Sequence, residues 1–178
     1  VCLLLALHAQ KDMSWKEVLK SPEAPKAIAA LESELASLTS TILTEIPEES
    51  PEYPEAVNQA TPGRLLLDIR RMGQYKARGV KQGFKEDRVQ ADGPGFNSYA
   101  HVAKFISIRT SIFRPNRGTR RIAIKDVKTA FLQSDKYPDG VVKYICFKHP
   151  VTLKWIYYRQ SGPIYGEPSA VIRWEDTI

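Results

Sequence analysis

The stretch from Arg121 to Asp135, which reads RIAIKDVKTAFLQSD, constrains this chain more than any other. Ile122 and Ile124 alternate with less apolar residues, and this period of two predicts a buried strand. The strand runs into Asp126, and the residues after it are compatible with a short helix. A carboxylate at the end of an apolar strand is costly to bury unless it has a partner such as a metal ion. Asp126 is therefore the first candidate for chemistry.

Charge is distributed unevenly along the chain, whose net charge is +6. Residues 14–62 hold three Lys and nine Glu, whereas residues 63–132 hold sixteen Lys or Arg and five acidic residues. A basic block of this size favours a polyanionic partner, with nucleic-acid phosphates as the first candidate. Composition alone is equally compatible with a solvated basic face, as in a generic α+β interaction domain.

Length and cysteine content set further limits. The 178 residues predict one domain or two small lobes. Cys2 and Cys146 lie far apart and away from the histidines, which argues against a structural zinc site and favours a reducing, intracellular setting. The apolar residues 1–9 are too short to span a bilayer, so we expect no membrane partner. The first residue is not Met, which favours an internal fragment and leaves the origin of residues 1–12 open.

The N-terminal third predicts helices. Residues 13–19 predict a short amphipathic helix, and Ser21 followed by Pro22 predicts the start of a longer one. Its apolar residues recur at spacings of three and four and form one stripe, with Glu32, Glu34 and Ser37 facing away. The stripe consists of Ile28, Leu31, Leu35, Leu38 and Ile42. Residues 47–62 carry four prolines and many glutamates, which predicts an exposed linker or loop.

The remainder predicts a mixture of strands with one further helix. Residues 64–70 and 75–80 predict two strands joined by a turn at Met72–Gln74, which together form a basic β-ribbon. Residues 99–113 predict a helix. A turn at residues 137–140 precedes two further strands, at residues 141–147 and 153–159.

Several segments resemble motifs of copia-type retrotransposon reverse transcriptases, and three of them occur in the order of that family. The sequence YKARGVKQGF from Tyr75 resembles the fingers motif, and YAHVAKFISIR from Tyr99 resembles the segment Phe-Ala-Pro-Val-Ala-Lys. The sequence DVKTAFL from Asp126 resembles the first catalytic motif. The segment 164–176 aligns without gaps to Leu-Tyr-Gly-Leu-Lys-Gln-Ala-Pro-Arg-Ala-Trp-Tyr-Asp, and the matching residues are Tyr165, Gly166, Ala170, Trp174 and Asp176. The resemblance covers roughly Trp15 to the C-terminus.

The resemblance implies an α+β fold that is part of the right-hand polymerase architecture. We expect a fingers β-ribbon and an incomplete antiparallel palm sheet backed by helices. The corresponding segments are an N-terminal helical segment at 1–46, an acidic Pro-rich linker at 47–62, and the fingers with part of the palm at 63–178.

The resemblance also implies RNA-directed DNA synthesis with two Mg²⁺ ions, using an RNA or DNA template-primer and a deoxynucleoside triphosphate. Asp126 and the backbone carbonyl of Val127 are the implied metal ligands. Phe131 is either a gate against the 2′ hydroxyl of the nucleotide or a core residue. The implied nucleotide contacts of the ribbon are Arg70, Arg71, Lys76 and Arg78. The implied nucleic-acid contacts are Lys81, Lys85, Tyr165, Gly166 and Trp174.

The sequence departs from the family pattern at several positions. Gly79 replaces a Leu, which predicts a loosened strand. Pro168 and Ser169 replace a Lys and a Gln that help position template and nucleotide. The sequence contains no adjacent pair of aspartates, which the family places in a later Tyr-x-Asp-Asp hairpin. We therefore expect this chain to be inactive alone. The alternative is a non-catalytic, basic nucleic-acid-binding remnant of such a polymerase.

Overall fold

The computed structural model describes residues 14–70, 73–86, 127 and 129–177. Within them the fold is α+β. The helices are α1 (Trp15–Val18), α2 (Ala24–Thr41), α3 (Tyr53–Gln59) and α4 (Ala170–Thr177). The strands are β1 (Leu43–Glu45), β2 (Thr61–Ile69), β3 (Tyr75–Lys81), β4 (Lys143–Lys148) and β5 (Trp155–Gln160). The predicted helix at 99–113, the predicted strand before Asp126, Asp126 itself and Arg71 lie outside the described residues.

The five strands form one mixed sheet in the order β1-β5-β4-β2-β3. Neighbouring strands are antiparallel except β2 and β4, which run parallel with Thr61 opposite Ile145 and Pro62 opposite Cys146. The strands β4 and β5 are antiparallel as expected, but the ribbon joins them through a parallel pair, so the structure has one mixed sheet instead of a ribbon beside an antiparallel palm sheet. The long stretch between β2 and β4 in sequence allows β4 to enter the sheet in the same direction as β2.

The predicted basic ribbon is confirmed as the hairpin of β2 and β3. Seven residue pairs from Gly63–Lys81 to Ile69–Tyr75 face one another across the two strands. Gly73, in the turn, has φ of +73°, a left-handed conformation that glycine adopts without steric cost. Successive side chains of β3 therefore point to opposite faces of the sheet, which explains the alternation of apolar and basic residues along this strand.

Helix α2 covers one side of the sheet, which we call the inner face. Leu31 and Leu38 are fully buried against Ile145 and Phe147 of β4. The predicted stripe is confirmed at these two leucines, although Ala27 rather than Ile28 is the buried residue of the first turns. Helix α1 is fixed to the same side, because the indole N–H of Trp15 donates a 2.6 Å hydrogen bond to the carbonyl of Leu65.

The strand at Gly79 is not loosened, which corrects the expectation drawn from its departure from Leu. A Cβ at this position would lie 2.7 Å from Cδ1 of Leu38 and 3.4 Å from the ring of Phe147. The backbone N–H of Gly79 also donates a 3.0 Å hydrogen bond to Glu34, which was expected to face away. The absent side chain thus lets α2 approach β3 closely and hydrogen-bond to it.

The segment 47–62, expected to be an exposed linker or loop, instead contains helix α3 and the beginning of β2. The prolines are compatible with the helix, because Pro54 lies in its first turn, where an N–H is not needed. Ala56 is fully buried against Ile46 and Tyr144, and the ring of Tyr53 contacts that of Tyr157 edge to face. Helix α3 therefore covers part of the sheet side opposite α2, which we call the outer face.

No helix within the described ranges is both long and apolar enough to cross a membrane.

Candidate functional site

Three segments that carry the family resemblance meet at the end of β3. The backbone N–H of Lys81 donates a 2.7 Å hydrogen bond to the carbonyl of Tyr165. The ring of Tyr165 packs edge to face against Phe131, with centroids 5.4 Å apart. The fold therefore brings the fingers motif, the residues after Asp126 and the Tyr-Gly turn into one place.

Two glycines permit this close approach. Gly166 has φ of +84°, and a Cβ there would lie 2.3 Å from the carbonyl oxygen of Lys81. A Cβ at Gly83 would lie 2.4 Å from the carbonyl oxygen of Gly166. Any side chain at either position would push the two segments apart, so these glycines are required by packing.

Phe131 lies in a short 3-10 turn, Ala130–Gln133, at the place where the sequence predicted a short helix. The turn follows Thr129, whose φ of 54° is left-handed. It directs Leu132 into the core, whereas Phe131 stays half-buried against Tyr165. Phe131 is thus not a fully buried core residue, and its role as a gate stays a prediction.

The basic residues of the hairpin have different environments. Arg78 forms a 2.9 Å ion pair with Asp68, whose side chain is 3% exposed. Burial lowers the pKa of Lys76, and the positive charges of Arg70 and Arg78 lower it further. Arg70 is exposed beside the turn. The geometry thus concentrates positive charge on the outer side of the hairpin, and nucleotide binding by these residues stays a prediction.

Lys81 corrects an expectation, because its side chain is 0% exposed and not available to an external phosphate. Its ammonium contacts Glu86 at 2.7 Å and the amide oxygen of Gln160 at 3.2 Å. Lys85, in contrast, is exposed next to Phe84, which is itself 76% exposed. Only Lys85 of these two lysines has the exposure that contact with a nucleic acid requires.

Lys81 belongs to a group of buried polar side chains at one end of the core, which we call the buried cluster. It consists of Lys81, Glu86, Tyr137, Lys143, Gln160, Glu167 and Ser169. Lys143 contacts Glu167 at 2.9 Å and Glu86 at 3.3 Å. Glu167 also accepts hydrogen bonds from Tyr137, Gln160 and Ser169. Two ammonium groups thus face two carboxylates, and the cluster is formally neutral.

The ionisation of the buried cluster follows from these contacts. Burial alone would raise the pKa of Glu167, but the charges of Lys81 and Lys143 and the Tyr137 hydroxyl outweigh it and lower that pKa to about 2. Burial, reinforced by the charge of Glu167, raises the pKa of Tyr137 above its usual range. Tyr137 therefore remains a neutral donor to an ionised Glu167.

The C-terminal segment is tied to the same cluster. Ser169, which stands where the reverse-transcriptase motif that the segment resembles has Gln, is fully buried and donates a 2.9 Å hydrogen bond to Glu167. On α4, the guanidinium of Arg173 lies 5.0 Å from the ring centroid of Tyr137, and Trp174 is half-buried. In this chain the segment therefore contributes to the core through Glu167 and Ser169. Contact of Trp174, Tyr165 and Gly166 with a nucleic acid stays a prediction.

The predicted magnesium ligand Asp126 is outside the described residues, and its neighbour Val127 is exposed. The part of the chain that is described has no group of three His, Cys, Asp or Glu side chains placed to hold a metal ion. Magnesium binding thus stays a prediction that rests on the motif at Asp126.

Comparison of the chain with protein-family models, with curated proteins and with solved structures finds no match.

The buried cluster is the part of this region that sequence reasoning missed. The special role of Glu167 could have been suspected from the sequence, because it is an acidic residue where the aligned family segment has Leu. The roles of Lys143 and Glu86 could not have been found in the sequence, because their partners are distant in sequence and only the folded chain brings them together.

Proposed function

We propose that this chain is the fingers and part of the palm of a copia-type RNA-directed DNA polymerase, and that it is inactive alone. The observation that carries the proposal is the contact of Tyr165 with both Phe131 and the backbone of Lys81. These three residues belong to three separate segments that resemble family motifs. If the three segments form one nucleotide site, they must lie together in the fold. If the resemblance were accidental, there would be no reason for them to meet.

In this proposal the outer side of the hairpin faces the triphosphate. Arginine and lysine suit this role because they make charge-assisted hydrogen bonds to phosphate oxygens. Phe131 lies under the sugar of the incoming nucleotide and excludes the 2′ hydroxyl. Asp126 and the carbonyl of Val127 would hold Mg²⁺, and the ion would supply charge stabilisation for the primer hydroxyl and the triphosphate.

The experiment that tests the proposal is to read the transcript beyond the codon for Ile178 and to express the extended protein. We expect an open frame that contains Tyr-x-Asp-Asp, and a protein that extends a DNA primer on an RNA template. Asp126→Asn removes a metal ligand and should abolish extension without weakening duplex binding, because that binding depends on phosphate contacts. Asp139→Asn, in an exposed turn, is the matched control and should leave extension unchanged.

A second function, a non-catalytic nucleic-acid-binding remnant, is favoured by one observation. The segment that positions template and nucleotide in the family here supplies Glu167 and Ser169 to the buried cluster. A stop codon or unrelated sequence after Ile178, combined with salt-dependent duplex binding by the chain, would establish this alternative and reject the polymerase. Failure to bind nucleic acid even at low salt would reject both functions.

A further inference from the structure

The outer face of the sheet carries a line of basic side chains that extends beyond the hairpin. Because side chains alternate along a strand, the residues opposite the α2-facing ones share this face. On β2 and β3 they include Arg64, Lys76 and Arg78, and on β4 they include Lys148. We call these four residues the basic row.

The register of the strands makes the row continuous. Arg64 and Lys148 each follow by two residues the parallel pair Pro62–Cys146, so they come next on the same face of adjacent strands. Arg64 faces Val80 across the hairpin, and Arg78 is its diagonal neighbour on β3, about 7–8 Å away. The row thus crosses the sheet from β4 to the end of the hairpin.

Trp155 extends the row onto β5. It is the direct partner of Lys148 across the antiparallel pair, so their side chains lie side by side. Helix α3 covers the neighbouring Tyr157 through Tyr53, but Trp155 remains 48% exposed. A large aromatic ring exposed on a strand next to a lysine is the arrangement that stacks a base and holds its phosphate.

The turn before Trp155 is well defined. The ring nitrogen Nδ1 of His149 accepts hydrogen bonds from the backbone N–H groups of Val151 and Thr152. Leu153 has φ of +60°, which is strained for a leucine, and its side chain is 65% exposed. Local hydrogen bonds therefore hold the turn, and Trp155 begins the strand that leaves it.

Charge complementarity favours a nucleic acid as the occupant of this surface. Arg64 and Lys148 are exposed, and the acidic residue of the same hairpin face, Asp68, is buried and paired with Arg78. On the same face, burial and then the positive charges of Arg70 and Arg78 lower the pKa of Lys76. A polyanion with flat bases matches both the charge and the exposed ring.

We propose that Trp155 and the two exposed residues of the basic row nearest to it, Lys148 and Arg64, bind single-stranded nucleic acid, with a base stacked on Trp155 and the phosphates on these two side chains. Lys76 and Arg78, at the other end of the row, remain assigned to the triphosphate. The proposal rests on the proposed function, because the unpaired part of the template ahead of the primer is the strand that would lie there. It adds Lys148 of β4 and Trp155 of β5 to the residues proposed to contact nucleic acid.

The test is fluorescence anisotropy with two labelled RNA–DNA duplexes, one blunt and one with an unpaired template overhang of about 10 nucleotides, a length within the range of such surfaces. We expect the overhang to tighten binding about tenfold. Trp155→Ala should remove this gain, and Trp155→Phe, which keeps a ring, should retain most of it. Thermal melting checks that each variant is folded.

Charge variants test whether the basic row, and not another part of the surface, contacts the phosphates. Lys148→Gln should lower the slope of log affinity against log salt by about one for the overhang duplex. Lys16→Gln removes an exposed lysine of α1, on the inner side of the sheet, and should leave the slope unchanged.

Three outcomes would overturn the proposal. The first is equal affinity for the two duplexes. The second is an affinity gain from the overhang that is retained in Trp155→Ala. The third is no affinity gain from the overhang together with binding of anionic phosphatidylserine vesicles through Trp155. Binding of the blunt duplex in any of these cases would leave the proposed function standing. Absence of binding to both duplexes would contradict the proposed function itself.

Discussion

Basic side chains on the two faces of β3 have opposite environments. Lys81 points to the inner face, where its ammonium is buried between Glu86 and Gln160. Lys76 and Arg78 point to the outer face and remain partly exposed, although Arg78 is also paired with the buried Asp68. All three belong to one short basic motif, so charge in the sequence does not by itself identify a binding surface. The strand period decides which charges hold the fold together and which are available to a partner.

The largest effect should come from removing one charge of the buried cluster. Glu167→Leu leaves two ammonium groups with a single carboxylate, and an uncompensated buried charge costs about 3–5 kcal/mol. We expect that loss in the free energy of unfolding, measured by urea denaturation. The double variant Glu167→Leu/Lys143→Met restores charge balance and should recover most of the loss. A single variant that costs less than about 1 kcal/mol would contradict the contacts of the cluster.

The next effect is a dependence of stability on pH. The pKa of Glu167 is about 2 in the folded protein, below its ordinary value of 4.5, so the folded state binds this proton less readily than the unfolded state. The stabilisation is present above pH 4.5 and is lost as the pH falls towards about 2. Its size is on the order of 3 kcal/mol.

Comparison with Glu167→Gln isolates this contribution from other acids. The difference in free energy of unfolding between wild type and variant should shrink between pH 4.5 and pH 2. A difference that stays constant over this range would show that Glu167 does not have a lowered pKa.

An intermediate effect is expected where α2 contacts β3. Gly79→Leu introduces the residue that the reverse-transcriptase motif has, but its side chain would collide with Leu38 and Phe147. Overpacking of this kind costs about 1–3 kcal/mol. Leu38→Ala in the same chain makes room, so the penalty of Gly79→Leu should be smaller in that background. Equal penalties in both backgrounds would rule out the contact with Leu38.

The smallest effect on stability should come from the outer face. Lys76→Gln removes a partly exposed charge next to other positive charges, and we expect the free energy of unfolding to change by less than about 0.5 kcal/mol. The same change should weaken binding of a deoxynucleoside triphosphate to the extended protein, because it removes a charge that contacts phosphate oxygens. Lys154→Gln, in the exposed turn before β5, is the matched control for stability. A large loss of stability in Lys76→Gln would place this residue with Lys81 as part of the fold.

The sequence predicted the helices and strands that are determined by patterns of neighbouring residues. The hairpin followed from alternation on either side of Gly73, and α2 followed from the spacing of Leu31 and Leu38. Helix α3 was missed because its prolines were read as breakers, although Pro54 in a first turn is harmless. The mixed sheet was missed because nothing in the sequence of β2 or β4 reports which strand lies beside it.

The candidate site was predicted in part for the same reason. The motifs around Phe131 and Tyr165 were recognisable separately, but their contact depends on the close approach of Gly166 to β3. The buried position of Lys81 depends on partners up to 79 residues away in sequence. Such pairings are properties of the tertiary structure, and the same lysine in another register would be exposed.

The most direct test of the two-face account is an NMR titration of the ¹⁵N-labelled chain with an RNA–DNA duplex that carries a template overhang. Two of the three indole N–H signals give one reporter on each face, because Trp155 is exposed on the outer face and Trp15 donates to Leu65 on the inner one. We predict that the Trp155 indole and the amides of Lys148 and Arg64 shift on titration, and that the Trp15 indole does not. Shifts at Trp15 without shifts on the outer face would contradict the account.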